Sequence, residues 1–378
     1  MTWRIPLYKI FTDDEDVNLI TKIIKRGNSW ALGPEIEEFE NELANYVGVD
    51  YCATLNSGTS ALHACFLAYG LGNSDEIIVP SFSFISTANS VLFVGAKPIF
   101  ADIEEETFGL DPDSIQSKIN SNTKALVPMD YGGLPCKIFE INEIAKQKNI
   151  PVIEDAAESL GSKIHDSKIG SISDSSIFSF YGNKVLTTGE GGAVVTNSKD
   201  IYDKIKIIRS HGRIDTKNYF QNESESVYLQ LGYNWRMSTL TATLGLTQLK
   251  KLDKLIVMRK KNAKHISSKL EKFKQIKFPS IPSGYDHIYQ MFTIRLENQT
   301  LRDNLHEFLT KKKIFSKVYF SPIHKTKFYQ GLDNKIQKLP LTEKIASEVL
   351  TLPLYPNMDS EELNYLTESM AEFFESLN

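Results

Sequence analysis

SIFSFYGNKVLTTGEGGAVVTN, residues 176–197, reads as strand, turn and strand. The apolar run Ser176–Phe180 has the character of a buried strand, Gly182 and Asn183 break it, and Ala193–Thr196 resumes it. Lys184 therefore stands just past the carboxyl end of a strand, and in open α/β sheets that edge is where ligands bind. A lysine in a surface turn is normally just solvated. Among apolar and small neighbours its amine gives up a proton more readily and can serve as a Schiff-base nucleophile.

Three stretches upstream decide between those readings. Val152–Glu158 (VIEDAAE) puts Asp155 at the end of another strand. Alone it would read as a helix cap. Beside a Schiff-base lysine it has a specific task, because pyridoxal phosphate works as an electron sink only while a carboxylate holds its ring nitrogen protonated. Glu158, about one turn on, reaches toward the phenolic oxygen of the same ring. Asn56–Leu62 (NSGTSAL) opens a helix with small polar residues, and free amides at a helix N-terminus favour a phosphate. Pro80–Phe84 (PSFSF) follows a further strand and offers Phe84 to stack on a flat cofactor. Rival motifs are missing: Gly189-Glu190-Gly191-Gly192 has Val194 where GxGxxG needs its third glycine, and no GxxxxGK[ST] occurs.

Composition narrows the class. With 378 residues, 41% hydrophobic and 24% charged, the chain is long enough to bury its cores without staples. A net charge of −4 argues against a surface that coats nucleic acid or hugs a membrane. Cys52, Cys65 and Cys136 form neither a CxxC nor a zinc-spaced cluster, so no metal and a reducing, cytoplasmic setting are expected. Arg4, Pro6 and Lys9 interrupt any leader-like apolar run, and Ile77–Ala96 is too polar to span lipid.

Working outward, residues 50–200 alternate β-rich and helical runs, predicting an α/β domain with a mostly parallel sheet. Strands are expected at Glu76–Val79, Pro98–Asp102, Ala125–Met129, Val152–Glu154, Ser176–Phe180 and Ala193–Thr196, with helices at Ser60–Tyr69 and Glu140–Lys148. The large domain is taken as residues 1–250 with the N-terminal segment. A smaller α+β domain over 251–378 opens with a long amphipathic helix carrying Leu252, Leu255, Ile256, Ile266 and Leu270. It continues with a strand at Tyr289–Leu296, a helix at Leu301–Lys312, a strand at Phe315–Tyr319, and helices near Leu341–Leu350 and Ser360–Ser376. Gln221–Ser226 reads as a polar loop.

Five ordered blocks complete the picture: Leu55–Leu62, Ile78–Asn89, Ile153–Glu158, Phe178–Phe180 with Lys184 and Thr187–Gly192, and Gly232–Met237. With them the chain resembles, over nearly its whole length, the DegT/DnrJ/EryC1/StrS family of pyridoxal-phosphate-dependent sugar aminotransferases. The resemblance implies an aspartate-aminotransferase-like (fold type I) large domain. It makes Lys184 the Schiff-base lysine and Asp155 the partner of the pyridine nitrogen, and sets Glu158, where glutamine is frequent, beside the ring hydroxyl. Ser57, Gly58, Thr59 and Ser179 would hold the phosphate and Phe84 would stack on the ring. Asn234 would complete the phosphate site of a neighbouring subunit, which implies a homodimer with a shared active site. Arg236 and His324 are weaker substrate candidates, and Arg209, Arg213, Arg236 and Lys325 are candidate cations for a nucleotide diphosphate.

A subgroup with histidine in place of this lysine dehydrates sugars, so Lys184 favours amino transfer over dehydration or a non-catalytic regulatory role. The Phe180–Lys184 form (FYGNK) looks like that of GDP-perosamine synthases, which aminate carbon 4 of GDP-4-keto-6-deoxymannose with L-glutamate as donor. Enzymes acting on UDP- or dTDP-4-keto-6-deoxy sugars carry the same Gly-Asn-Lys, and the 211–231 loop is longer than in the perosamine group.

Overall fold

Short β-branched and aliphatic runs, each followed by a turn and a helix, can bury both faces only as parallel strands covered by crossover helices. The computed structural model, which describes residues 2–214, 227–332 and 337–377, has this arrangement. Strands β1 (Tyr51–Leu55), β2 (Glu76–Pro80), β3 (Lys97–Ala101), β4 (Thr123–Leu126) and β5 (Ile153–Asp155) come first. A short hairpin, β6 (Lys163–Ile164) and β7 (Ser167–Lys168), separates them from β8 (Ser175–Ser179) and β9 (Gly192–Thr196). β3, β2 and β4 pair in parallel. Bridges Leu126–Val152 and Met129–Asp155 join them to β5, which pairs in parallel with β8. β9 runs antiparallel to both β8 and β1, giving the order β3-β2-β4-β5-β8-β9-β1.

This topology gathers the sequence motifs. The carboxyl ends of β1, β2, β5 and β8 lead into Asn56, Ser81, Ala156 and Phe180, and the antiparallel β9 starts at that same edge with Gly192. The strands are held from both sides. Phe178 and Phe180 are fully buried on one face, among Phe39, Leu43 and Val47 of the helix Pro34–Val47, while Ile153, Ile177 and Val194 pack on the other against the helix Gly58–Ala68. Each such side chain contributes roughly 1.5–3 kcal/mol by leaving water.

The C-terminal part has a small antiparallel sheet in which β12 (Phe292–Leu296) lies between β10 (Ile276–Lys277) and β13 (Val349–Leu352); β11 (Tyr285–Asp286) pairs with β6 instead. Two expectations need correction here. Residues 315–319 form no regular strand and make only a lone bridge from Lys317 to Thr351, because the chain turns away so that Ile323 and His324 can bond Ser81 of the large sheet. The helix expected to reach Leu350 stops at Glu348, and the aliphatic Val349–Leu352 pairs with β12.

The long helix Leu252–Leu270 serves both halves, with Leu252, Leu255 and Ile256 in one core and Ala263, Ile266 and Leu270 in the other. This helix follows directly after the boundary expected at 250/251 and contributes to both core clusters. Residues at the N-terminus, assigned to the large domain from sequence, bond to the C-terminal half: Arg4 and Ile5 donate to the Lys313 carbonyl, and Ile5 lies in that core. The Gln221–Ser226 loop lies outside the described residues, and no helix among those described is long and apolar enough to cross a membrane.

Where β9 meets the helix Gly58–Ala68, the backbones nearly touch. A Cβ at Gly192 would lie 2.5 Å from the Ser57 carbonyl and 2.6 Å from the Gly58 nitrogen, and backbone atoms cannot step aside as a flexible side chain would. Gly192→Ala is expected to destabilise the protein by roughly 1–3 kcal/mol, read as a lower midpoint in denaturant unfolding; an unchanged midpoint contradicts this packing.

Candidate active site

The helix Gly58–Ala68 starts at the sheet edge with Ser57 as its cap. Ser57 Oγ accepts from the Ser60 amide at 3.1 Å, and Ser60 Oγ accepts from the Ser57 amide in return. The amides of Gly58 and Thr59 precede any carbonyl of their own helix, so they point outward as donors at the positive end of the dipole. Ser179 closes this cradle from β8, with its Cβ 2.9 Å from where a Cβ on Gly58 would stand. Only glycine lets the strand end come so near the helix. Ser57, Gly58, Thr59 and Ser179 thus form one polar pocket of phosphate-binding character.

Lys184 lies beside it. Its Nζ is 3.2 Å from Glu158 Oε1, and its side chain is 13% exposed. Glu158 is itself buried, and its Oε2 accepts from the Gly132 amide at 2.9 Å. Gly132 takes φ +64, a left-handed conformation that glycine adopts at no steric cost and that aims the amide at the carboxylate. Asp155, 3% exposed, accepts from Thr87 Oγ1 at 2.6 Å through Oδ2 and from the Ala157 amide at 3.3 Å through Oδ1. Burial pushes the Asp155 carboxyl above its ordinary range, opposed by the Thr87 hydroxyl, the Ala157 amide and the Lys184 charge and reinforced by the nearby Glu158. The Phe84 ring is 57% exposed and stands 6.4 Å from that of Phe320.

The other sequence candidates separate. Asn234 is exposed, and its backbone carbonyl accepts from Asn56 Nδ2 at 3.4 Å, next in sequence to the Ser57 cap. Arg236 donates to Ser210 Oγ. His324 has both ring nitrogens occupied, Nδ1 by Ser81 Oγ at 2.6 Å and Nε2 by Glu343 at 3.3 Å. It joins the C-terminal half to the end of β2 through these bonds. Two of the candidate diphosphate cations are also engaged. Arg209 is buried against Glu40 and the Thr54 carbonyl, and Lys325 is paired with Glu343.

Sequence reading missed Thr87, Ser83 and the Gly132 amide, although the first two lie in the quoted Ile78–Asn89 block. It also missed the buried set Asp130, Cys136 and Glu154, whose ligand-type atoms come within 4.8 Å of one another. These groups are already hydrogen-bonded within the protein. Asp130 accepts from the Cys136 amide at 2.8 Å and Ser159 Oγ at 2.6 Å, and Glu154 accepts from Ser176 Oγ at 2.7 Å. Burial raises both carboxyls, and the bonds from Cys136 and Ser159 to Asp130 tie the 130–136 loop to the turn after β5, while Glu154 Oε1 has no hydrogen-bond partner among the described residues.

Known proteins resemble this chain in sequence and fold. The chain is 34% identical over 374 residues, 98% of each sequence, to GDP-perosamine synthase of Escherichia coli O157:H7. It is 32% identical over 371 residues, 97% of this chain and 96% of the other, to UDP-4-amino-4,6-dideoxy-N-acetyl-beta-L-altrosamine transaminase of Campylobacter jejuni. The structure of NtdA from Bacillus subtilis with bound cofactor PMP superposes with a TM-score of 0.86 at 29% identity, covering 97% of this chain and 83% of that one. The DegT/DnrJ/EryC1/StrS aminotransferase family model matches residues 11–371, and the chain belongs to that family.

Proposed function

We propose that this sugar aminotransferase uses pyridoxal phosphate to move the amino group of L-glutamate to carbon 4 of GDP-4-keto-6-deoxymannose, giving GDP-perosamine. The reading rests on one observation: Lys184, Glu158 and Asp155 converge at a single sheet edge next to the Gly58–Ser179 cradle. The residues fit the cofactor. Exposed helix amides and hydroxyls suit its phosphate, a buried carboxylate suits its ring nitrogen, and a half-exposed phenyl ring suits its face. When bound, the cofactor supplies an aldehyde that takes up the amino group and a cationic ring that accepts the electron pair released at carbon.

The protein's own part is binding, orientation and proton transfer. Gly58, Thr59, Ser57 and Ser179 anchor the phosphate, and Asp155 holds the proton on the ring nitrogen. Lys184 would act as the general base that removes the donor's α-proton. One water is consumed as 2-oxoglutarate is released, the keto sugar gives up its carbonyl oxygen as water, and Lys184 would deliver a proton to carbon 4. Glu158 accepts a hydrogen bond from Lys184 Nζ and so fixes the amine at the sheet edge before substrate enters. GDP is preferred as the nucleotide on the Phe180–Lys184 form and the perosamine synthase relative; the Campylobacter relative supports a UDP sugar as the alternative, and a dTDP sugar is the third candidate.

A homodimer with shared sites completes the proposal. Trp30, Ile214, Val227, Tyr228 and Leu231 leave large apolar surfaces exposed, from 46% to 81%, and Asn234 is exposed nearby in sequence. Such side chains near a site argue for a partner surface.

Three outcomes test this reading. Borohydride reduction should attach the cofactor to the peptide bearing Lys184, and Lys184→Ala should abolish the label and lower amino transfer at least roughly a thousandfold; labelling elsewhere would refute the assignment. Given glutamate and a panel of GDP-, UDP- and dTDP-4-keto-6-deoxy sugars, mass spectrometry should find the GDP sugar aminated, whereas exclusive conversion of another moves the nucleotide assignment. Lys184→Ala and Asn234→Ala, each inactive alone, should recover activity when mixed subunits exchange; no recovery contradicts shared sites.

A further inference from the structure

The Asp155 carboxylate is set from behind by a chain of hydroxyls. Thr87 lies on the helix Ser86–Phe93 and is fully buried; Ser83, 2% exposed, precedes that helix. Thr87 Oγ1 donates to Asp155 Oδ2 at 2.6 Å, and Ser83 Oγ lies 2.7 Å from Thr87 Oγ1. A threonine hydroxyl has one hydrogen, and here Asp155 receives it. Ser83 must then be the donor in its bond to Thr87. The direction of the whole chain is fixed: Ser83 to Thr87 to Asp155. Each donated bond polarises the next, which strengthens the one that ends on the carboxylate.

We propose that Thr87, backed by Ser83, is a positioning residue for the reaction, locking the Asp155 carboxylate in one orientation and in its ionised state so that it keeps the cofactor's ring nitrogen protonated. This rests on the reading of Asp155 given under Proposed function. With Thr87 on Oδ2 and the Ala157 amide on Oδ1, both oxygens are pinned from the protein side. The same Ser81–Thr87 stretch carries Phe84, so one short segment sets the ring's face and, through Asp155, its far end.

The test uses apoenzyme loaded with pyridoxal phosphate labelled with nitrogen-15 in the ring. In the wild type the nitrogen signal should report a protonated ring. Thr87→Val keeps the shape and removes the hydroxyl. It should move the signal toward the unprotonated position, weaken cofactor binding by roughly 10- to 100-fold, and lower kcat by more than it alters KM for glutamate. Thr87→Ser should restore all three, and Ser83→Ala should shift them in the same direction by a few-fold. A wild-type signal and affinity in Thr87→Val overturns the proposal, as does failure of Thr87→Ser to rescue. Asp155→Asn separates the two levels. If it leaves the signal unchanged, the role given to Asp155 is wrong; if it moves the signal and Thr87→Val does not, only the hydroxyl chain is wrong.

Discussion

A carboxylate removed from water tends to take up a proton, and the rest of this site depends on Asp155 resisting that tendency. Desolvation is the largest influence on it and acts to neutralise it. Against this the fold sets a hydroxyl from one helix, an amide from its own turn and the charge of Lys184. A neutral acid could still accept a hydrogen bond, but it could not stabilise a cationic ring beside it. The chemistry proposed for the chain thus reduces to a balance between burial, which excludes water, and a few oriented dipoles that stand in for it.

The sheet makes that balance possible. The strand directions bring the ends of β1, β2, β5 and β8 to one edge, where Gly58 meets Ser179 and Ser83 reaches Asp155 through Thr87 although these residues are far apart in the chain. The antiparallel β9 adds what a parallel strand could not. Its first residue lies at this edge, and as glycine it lets the Ser57–Gly58 backbone approach to within contact distance. The second half of the chain is tied to the same edge through Ser81. The Ile323 amide donates to its carbonyl, and the His324 amide and ring engage its hydroxyl, so a shift of the smaller half would be felt two residues from Ser83.

Lys184 and Asp155 were legible in the sequence because each follows a strand with the apolar signature of a buried core, and a strand end marks the ligand edge whatever the detailed packing. The Ser57 cap was legible for a similar reason, being local chemistry over three residues. Thr87 was not, since a threonine in a helix's first turn looks like a capping or packing residue until Asp155, 68 positions away, is seen to accept from it. The same holds for Asp130, Cys136 and Glu154, drawn together by strand pairing rather than spacing, and for His324, whose partner Ser81 is 243 residues distant. Residues 315–319 misled because their β-rich character serves a lone bridge and then a departure toward β2, which local pattern cannot distinguish from a strand.

Glu158 shows how one departure from the family's common residue alters what the site asks of its occupant. Glutamine at this position would offer both a donor and an acceptor, whereas an ionised glutamate only accepts. Here Oε2 is engaged by the Gly132 amide, which leaves Oε1 to meet a group that carries a proton, and in the free protein Lys184 is that group. Whatever takes the lysine's place at Oε1 must bring a hydrogen of its own or face a buried like-charge contact. A glutamine there would present an N–H beside its carbonyl; the two oxygens of Glu158 instead meet the Gly132 amide and Lys184.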